Sequence, residues 1–316
     1  MNKHTHPQIF HKKVYYRSYF EGWYYKHVTK DGQHSISLIP GVSFEGGSKK
    51  SFIQCIYHHA KNELKTYNVD YSIQAFGVCQ EPFQVRIEKN IFSMKGIRLA
   101  VKEPHIQLRG ELRYGALTPI QSSVISPNIM GFFSYIPFME CNHAVLSMGH
   151  ALKGCLEIEG EVIDFTGGIG YIEKDWGRSF PKHYTWIQSN HFDTPKVALF
   201  CAVATIPFLG CCFKGFICNL IYEDIEYRFA TYNGTRLVLY EQSKDTIHLM
   251  LKHRQASLEI QGKVELAKKL WAPKMGRMNS VIKEGLSGVV DIILRDSKNT
   301  IILRTEGKQC GIEIVL

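Results

Sequence analysis

The sequence lacks the short motifs that mark several common kinds of active site. It has no Cys-x-x-Cys pair, no Gly-x-Ser-x-Gly elbow, no His-Glu-x-x-His stretch and no glycine-rich phosphate loop. These motifs are typical of zinc sites, serine hydrolases, metalloproteases and nucleotide-binding enzymes, respectively. The sequence therefore points to none of these classes, and we predict that the protein needs neither a metal ion nor an organic cofactor.

Blocks of like charge are also missing, although the chain is basic overall. Its 38 lysines and arginines exceed its 29 acidic residues and give a net charge of +9. A basic surface can attract nucleic acid or anionic lipid headgroups. Because the basic residues are scattered along the chain, we expect no nucleic-acid partner, while peripheral contact with a membrane surface stays open.

Features of exported proteins are scarce as well. The nine cysteines are odd in number and lack the spacing of a disulfide framework, which favours reduced thiols. The polar N-terminal residues 1–7 contain no apolar core of a signal peptide. We therefore expect a cytoplasmic protein that can also sit at the periphery of a membrane.

Long helical periodicity is absent, and short strand-like runs separated by turn residues fill the chain. The longest uncharged apolar run, residues 197–213, contains Pro207 and Gly210. It therefore indicates two strands and a turn rather than a membrane-spanning helix. Many short strands with few helices predict an all-β protein made of sandwiches or barrels. The uncharged segment 115–130 predicts a linker between two domains, residues 1–122 and 123–316.

The most informative stretch, residues 170–192, contains two strand-like segments around a Gly-Arg-Ser-Phe-Pro corner. Since side chains alternate between the faces of a strand, the first segment places Tyr171, Glu173 and Asp175 together. The second places two aromatic residues and two amides on one face, namely Trp186, Gln188, Asn190 and Phe192. Such a set suits an apolar pocket with a few fixed hydrogen-bonding groups. Solvated carboxylates and ordinary core aromatics are the alternative interpretation of the same pattern.

Two motifs in this sequence resemble those of the tocopherol cyclase family. The first is the central Tyr-x-Glu-Lys-x-Trp-Gly-x-x-Phe-Pro at residues 171–181, followed by Trp-x-Gln-x-Asn-x-Phe at residues 186–192. The second is Tyr-Phe-Glu-Gly-Trp-Tyr-Tyr-Lys at residues 19–26. The resemblance spans nearly the whole chain and extends more distantly to carotenoid hydratases and two-domain lipocalin-like proteins. It implies two lipocalin-like, calycin-type antiparallel β-barrel domains.

The resemblance also implies an enzyme that closes a chromanol ring on a prenylated hydroquinone or a related isoprenoid lipid. A C=C bond of the prenyl tail is protonated, and the neighbouring phenol oxygen captures the resulting cation without redox change. On this comparison Glu173 is the candidate acid, because an apolar pocket would raise its pKa. Asp175 ranks second, as a proton relay or base.

Further residues of the two motifs are candidates for binding the substrate. Aromatic rings could face the cation, and the two amides could orient the quinol hydroxyls or serve a structural role. For Glu21, a pocket wall and a surface salt bridge both stay open. The predicted substrate-binding residues are Glu21, Trp23, Tyr25, Tyr171, Trp176, Trp186, Gln188, Asn190 and Phe192.

A lipid carrier is the alternative function, because lipocalin-like barrels often hold an isoprenoid without changing it. A carrier needs a pocket but no acid. A buried, protonated Glu173 beside an open cavity would therefore favour the enzyme over the carrier.

Overall fold

A computed structural model describes residues 4–11, 17–59, 63–137, 139–208 and 211–316. In these residues the chain is built from β-strands, with two short 3₁₀ helices at Ile73–Ala75 and Gly131–Tyr135 and no α-helix. The predicted all-β class is therefore confirmed. Nowhere in the described part of the chain is there a helix long and apolar enough to traverse a lipid bilayer.

The first sheet is formed by the chain up to Gly177 and has twelve strands within the described residues. Their order is β4-β3-β2-β1-β12-β10-β9-β8-β7-β6-β5, with β11 paired to β10, and all pairings are antiparallel. The central sequence motif, on β12, is thereby inserted between β1 and β10. The strands are β1 Ser18–Val28, β2 Ser35–Glu45, β3 Ser48–His59, β4 Glu63–Ser72, β5 Phe76–Gln80, β6 Phe83–Ile87, β7 Asn90–Ser93, β8 Gly96–Glu103, β9 Ile106–Tyr114, β10 Cys141–Ile158, β11 Glu161–Asp164 and β12 Ile169–Gly177.

The second sheet begins at Tyr184 and has eleven strands within the described residues. Their order is β17-β16-β15-β13-β23-β22-β20-β19-β18, with β14 paired to β23 and β21 to β22. The apolar run at residues 197–213 contributes to two of these strands, as predicted. The strands are β13 Tyr184–Ser189, β14 His191–Phe192, β15 Val197–Phe208, β16 Cys211–Tyr222, β17 Ile225–Ala230, β18 Arg236–Gln242, β19 Thr246–Lys252, β20 Ala256–Lys263, β21 Lys268–Lys274, β22 Arg277–Asp296 and β23 Ile301–Val315.

The change from one sheet to the other lies between Gly177 and Tyr184, which corrects the predicted domain division at 122/123. That position falls between β9 and β10, which pair with each other in the first sheet. The uncharged composition of segment 115–130 marks a long connection between two paired strands rather than a boundary between domains. The central motif accordingly belongs to the first sheet up to Gly177 and to the second from Tyr184.

Each sheet encloses its own apolar core, in keeping with two lipocalin-like barrels. Side chains of strand β8 alternate between this core and solvent, since Ile97, Leu99 and Val101 are buried while Arg98 and Lys102 are exposed. Strands buried on both faces lie where the barrels meet, and β13 is buried along its entire length. A third apolar cluster, which includes Tyr24, Tyr171 and Trp186, fills this interface.

Candidate functional site

A cavity of about 690 Å³ lies at the interface between the two barrels. Strands β1 and β12 of the first barrel line one side, and β13, β15, β16 and β21–β23 of the second barrel line the other. The connection before β10 contributes Met130, Phe133 and Ile136. Most of the lining is apolar, and its volume falls in the range of pockets that enclose drug-sized ligands, about 300–1,000 Å³.

Strand pairing places Glu173 and Tyr24 side by side in this interface. Strands β1 and β12 run antiparallel, with Tyr24 and Glu173 as direct Cα partners. The even-numbered residues Phe20, Gly22 and Tyr24 of β1 therefore face the cavity, together with the odd-numbered Glu173 and Asp175 of β12. The predicted shared face of Tyr171, Glu173 and Asp175 is thus present, and Tyr171 packs in the interface cluster directly behind Glu173.

The Glu173 carboxyl group is buried and held by two aromatic hydrogen-bond donors. The Tyr171 hydroxyl donates to Oε2 over 2.6 Å, and the Trp186 indole N–H donates to the same oxygen over 3.2 Å. Burial raises the pKa of Glu173 to about 7, and the nearby Asp175 carboxylate adds to the increase. His143 and the two hydrogen bonds offset part of the increase. Near neutral pH a substantial share of Glu173 is therefore protonated.

His143, on β10, completes this cluster and was not among the residues chosen from the sequence. Its Nδ1 lies 2.9 Å from Oδ1 of Asp175, and its Nε2 lies 3.6 Å from Oε2 of Glu173. The imidazole stacks on the Phe200 ring at 4.8 Å between centroids. Burial lowers the pKa of His143, but the carboxylates of Asp175 and Glu173 raise it further, so that the net shift is upward. The sequence held no indication of this contact, since it depends on the β10–β12 register.

The same three residues form a possible metal-ligand set. Ligand atoms of His143, Glu173 and Asp175 all lie within 4.8 Å of one another. Two of the atoms involved already have protein partners: Oε2 of Glu173 accepts from Tyr171, and Nδ1 of His143 bonds to Asp175. These contacts hold the three residues as an acid–imidazole–carboxylate cluster, in which Nε2 of His143 has no hydrogen-bond partner among the described residues, and metal independence stays a prediction.

A second buried carboxyl pair, Glu284 and Glu313, lies in the wall of the same cavity. Neither residue was among the candidates predicted from the sequence. The two are Cα partners on β22 and β23. The Tyr24 hydroxyl donates a hydrogen bond to Glu284 over 2.7 Å, and the Tyr184 hydroxyl donates one to Glu313 over 2.6 Å. The available sequence signal was an isolated acid inside an apolar run, as in Gly-Ile-Glu-Ile-Val-Leu at residues 311–316.

Four predicted substrate-binding residues lie on the opposite faces of their strands, away from this cavity. Trp23 and Tyr25 are fully buried in the core of the first barrel, and Trp176 packs against the same core. Glu21 is fully buried as the ion-pair partner of Lys174, which corrects both interpretations given for it above. Both faces of β1 are rich in aromatic residues, so the alternation could not reveal which face meets the second barrel.

The amide-bearing strand β13 enters the cavity only at its beginning. Trp186, a predicted substrate-binding residue, lines the cavity, and so does Tyr184, which was not among the predicted residues. Gln188 accepts a hydrogen bond from the buried Lys26 ammonium, and Asn190 donates to the Gly170 carbonyl. Both amides thus connect the two barrels structurally. Phe192 packs against the core of the second barrel instead of the cavity.

Comparison with known families covers the central motif at residues 171–192 but not the motif at residues 19–26. A family model described as tocopherol cyclase-like matches residues 105–316, which is more than half of the sequence. The chain belongs to the tocopherol cyclase-like family. His143, Glu173, Glu284 and Glu313 all fall inside the matched region, whereas Tyr24 precedes it.

Individual relatives of this tocopherol cyclase-like chain are distant. It is 30% identical over 109 residues to a probable chloroplastic tocopherol cyclase of Oryza sativa subsp. japonica, covering 33% of this chain and 23% of that protein. The aligned region thus spans less than a quarter of the plant protein. Kievitone hydratase from Nectria haematococca has a TM-score of 0.52 at 12% identity, with 94% of this chain and 88% of that chain covered. CghA with Sch210972 has a TM-score of 0.60 at 8% identity, with 95% and 89% covered. These likenesses show a shared two-barrel fold.

Proposed function

We propose that this protein is an enzyme that protonates a C=C bond of an isoprenoid lipid and closes a ring, in the manner of a tocopherol cyclase acting on a prenylated hydroquinone. The observation that carries the proposal is the Glu173 carboxyl group, buried in the wall of an apolar cavity with its pKa raised to about 7. Membership of the tocopherol cyclase-like family and the name of the rice relative support the choice of substrate class.

The first step requires an acid that is protonated yet surrounded by apolar walls. Glu173 transfers its proton to the nearer alkene carbon of the prenyl tail, and a tertiary cation forms at the neighbouring carbon. The rings of Tyr24 and Trp186, in edge-to-face contact at 5.4 Å, line the cavity beside the acid. Their π faces stabilise a passing cation by roughly 1–2 kcal/mol each when water is excluded. Capture by the phenol oxygen then closes the ring.

His143 and Asp175 restore the acid after each turnover. The His143 Nε2 atom lies 3.6 Å from Glu173 Oε2, a distance that a small movement or one water molecule bridges. Asp175 fixes the imidazole orientation through Nδ1. Because the two carboxylates raise the pKa of the imidazole, His143 can hold a proton near neutral pH and pass it to Glu173.

The alternative function is a carrier that uses the cavity to hold an isoprenoid lipid unchanged. The apolar lining and volume suit either function. The acid cluster separates them, because a carrier gains nothing from burying Glu173, His143 and Asp175 together. Burial of such groups is costly unless they are paired or neutralised.

A direct test combines turnover with ligand identification. Purified protein is incubated with a panel of prenylated hydroquinones in D₂O, and products and co-purified lipids are analysed by mass spectrometry. We expect a cyclised product with one deuterium on the carbon next to the ether carbon. Glu173→Gln should lower turnover by at least ~10²-fold, the usual scale for a lost general acid, while retaining ligand binding.

The matched control is Glu241→Gln, the same substitution at an exposed position of the second barrel. It should leave turnover unchanged. Tight binding of the panel without turnover by the wild-type protein would favour the carrier, and wild-type turnover by the Glu173→Gln variant would remove Glu173 from the mechanism.

A further inference from the structure

Ring closure is an isomerisation, so the substrate must lose one proton for each proton it receives. Glu173 supplies a proton to the alkene carbon in the proposed function, on which this inference rests. The phenol O–H bond must break when its oxygen forms the new C–O bond. The cavity therefore needs a proton acceptor at the position of the hydroxyl group as well as an acid at the alkene.

Two carboxyl groups lie in the cavity wall apart from the Glu173 cluster. Residues Glu284 and Glu313 are only 1% and 8% exposed to solvent, and both line the cavity. One oxygen of Glu284 accepts from Tyr24, while its other oxygen, Oε2, receives no hydrogen bond from an N–H or hydroxyl group of the described residues. A buried carboxyl oxygen without a donor costs free energy, so a ligand hydroxyl at this position would satisfy it.

The position of the pair favours a shared proton. Glu284 and Glu313 are cross-strand Cα partners in a buried wall, where two adjacent negative charges are unfavourable, so that a proton on one of them is favoured. Burial and the neighbouring Glu313 raise the pKa of Glu284 well above its usual value, and burial raises the pKa of Glu313 to about 7. Near neutral pH the pair therefore holds about one proton and can accept a second, as in other coupled carboxyl pairs.

An aromatic pair connects this site to the acid. Tyr24 is the Cα partner of Glu173 across β1 and β12, yet its hydroxyl bonds to Glu284. Trp186 is the Cα partner of Glu313 across β13 and β23, yet its indole N–H bonds to Glu173. A substrate lying over the contacting rings of Tyr24 and Trp186 can therefore reach Glu173 with its alkene and the second pair with its hydroxyl.

We propose that Glu284 and Glu313 form a second proton-transfer site, which binds the phenolic hydroxyl of the substrate and takes up its proton as the ring closes. The Glu173 O–H bond breaks while a C–H bond forms at the alkene. The phenol oxygen forms the C–O bond, its O–H bond breaks, and the proton moves to the carboxylate of the pair. One proton then moves from the pair to His143 through water that enters as the product leaves, and His143 passes its proton to Glu173, which restores the initial state.

The experiment separates protonation from ring closure. A prenylated hydroquinone is incubated in D₂O with the wild type and the variants Glu284→Gln, Glu313→Gln, Glu173→Gln and Glu241→Gln. Two quantities are measured by mass spectrometry and NMR: the rate of cyclised product, and deuterium at the alkene carbon of recovered, uncyclised substrate. Thermal unfolding establishes that each variant is folded.

We expect Glu284→Gln and Glu313→Gln to lower cyclisation by at least ~10-fold, while deuterium continues to enter the recovered substrate because Glu173 still protonates it. Glu173→Gln should abolish both cyclisation and deuterium exchange, and Glu241→Gln should change neither. Tyr184→Phe, which removes only the hydrogen bond to Glu313, should give a smaller loss of cyclisation with exchange retained.

Cyclisation at the wild-type rate in both Glu284→Gln and Glu313→Gln would overturn the second proton site while leaving the proposed function intact. Loss of cyclisation and exchange together in these folded variants would overturn it as well, because they would then act through Glu173. A wild type that neither cyclises nor exchanges would instead refute the proposed function, and with it this inference.

Discussion

Glu21 and Lys174 form a fully buried ion pair, with 2.5 Å between Oε1 and Nζ. The ammonium group also lies 4.9 Å from the Trp23 ring and 4.8 Å from the Trp176 ring. It donates further hydrogen bonds to the carbonyls of Pro7 and Ile9. Several residues of the two family-like motifs thus hold the N-terminal segment onto the first barrel, on the face of the sheet that points away from the cavity.

Breaking this ion pair should lower stability strongly. Glu21→Gln leaves the buried Lys174 ammonium without its counter-charge, and we expect a loss of about 3–5 kcal/mol in the free energy of unfolding. Denaturant titration measures it. The control, Glu45→Gln, removes the exposed partner of Arg277 and should cost less than about 1 kcal/mol. Equal effects of the two substitutions would contradict a dominant role for the buried pair.

The activity should decline as pH rises above about 7. In the proposed mechanism Glu173 must be protonated to act, and its pKa is raised to about 7 by burial, so that kcat/KM should fall up to ~10-fold per pH unit on the alkaline side. His143→Gln removes a positive charge that lowers this pKa, and the alkaline limb should move to higher pH even as the rate falls. An alkaline limb at the same pH in this variant would argue against the contact between His143 and Glu173.

The buried Glu284–Glu313 pair should give stability an unusual pH dependence. A carboxyl group whose pKa is raised in the folded state loses stabilising free energy as pH rises from its unfolded pKa to its folded pKa. For Glu313 this window runs from about 4.5 to about 7. Glu313→Gln should therefore gain stability relative to the wild type across that window, by up to ~3 kcal/mol. A difference independent of pH would refute proton binding by the pair.

The free energy of unfolding has to be compared between the wild type and Glu313→Gln, because buried histidines give stability the opposite pH dependence. Burial lowers the pKa of His27, and it lowers the pKa of His150 and of His191 to about 4. These groups lose stabilising free energy as pH falls, which is the opposite sign. Their contribution is common to the wild type and the variant and cancels in the difference between the two unfolding curves.

Metal removal should leave turnover unchanged. The His143–Glu173–Asp175 cluster is the place to look for an ion, since its ligand atoms lie within 4.8 Å of one another. We expect activity to survive chelation, with no stoichiometric metal in elemental analysis of the purified protein. Loss of turnover on chelation and its recovery with one divalent ion per chain would assign the cluster to a metal instead.

The hairpin β21–β22 should attach the cavity entrance to an anionic lipid surface. Trp271 and Val281 are cross-strand neighbours, 44% and 49% exposed, and the exposed pair Lys269 and Lys283 flanks them. Trp271 also lines the cavity. Aromatic and basic side chains together favour membrane interfaces. The protein should therefore co-sediment with vesicles that contain phosphatidylserine, and salt should weaken the binding.

A double variant, Trp271→Ser with Val281→Ser, should weaken vesicle binding by about 10-fold, because two apolar side chains no longer enter the interface. Ile301→Ser, at a 49% exposed position of β23 outside the cavity, is the control. Equal loss in the control, or binding independent of lipid charge, would contradict attachment through this hairpin.

The fold class could be predicted from the sequence because alternation is a local property of each strand. In β12 the same alternation placed Tyr171, Glu173 and Asp175 correctly. Which sheet a strand joins is not local, and β12 pairs with β1, about 150 residues earlier in the chain. The predicted boundary at 122/123 failed for this reason.

The rest of the site depends on contacts between distant strands. His143 reaches Asp175 through the register of β10 with β12, and Glu284 meets Glu313 through that of β22 with β23. Single-strand patterns contain no information on either register. For β1, aromatic residues on both faces left two equivalent choices, and Tyr24 rather than Trp23 proved to face the cavity.

The placement of β12 between β1 and β10 has a consequence for recombination between relatives. Any crossover between residues 28 and 169 would join a β1 and a β12 from different parents, although these strands must match residue for residue over nine pairs. A crossover at the sheet change, between Gly177 and Tyr184, preserves both ladders but divides Glu173 from the Trp186 that holds it. Chimeras of this fold should therefore keep activity only when both parents supply compatible faces to the shared cavity, so that the two barrels are inherited together.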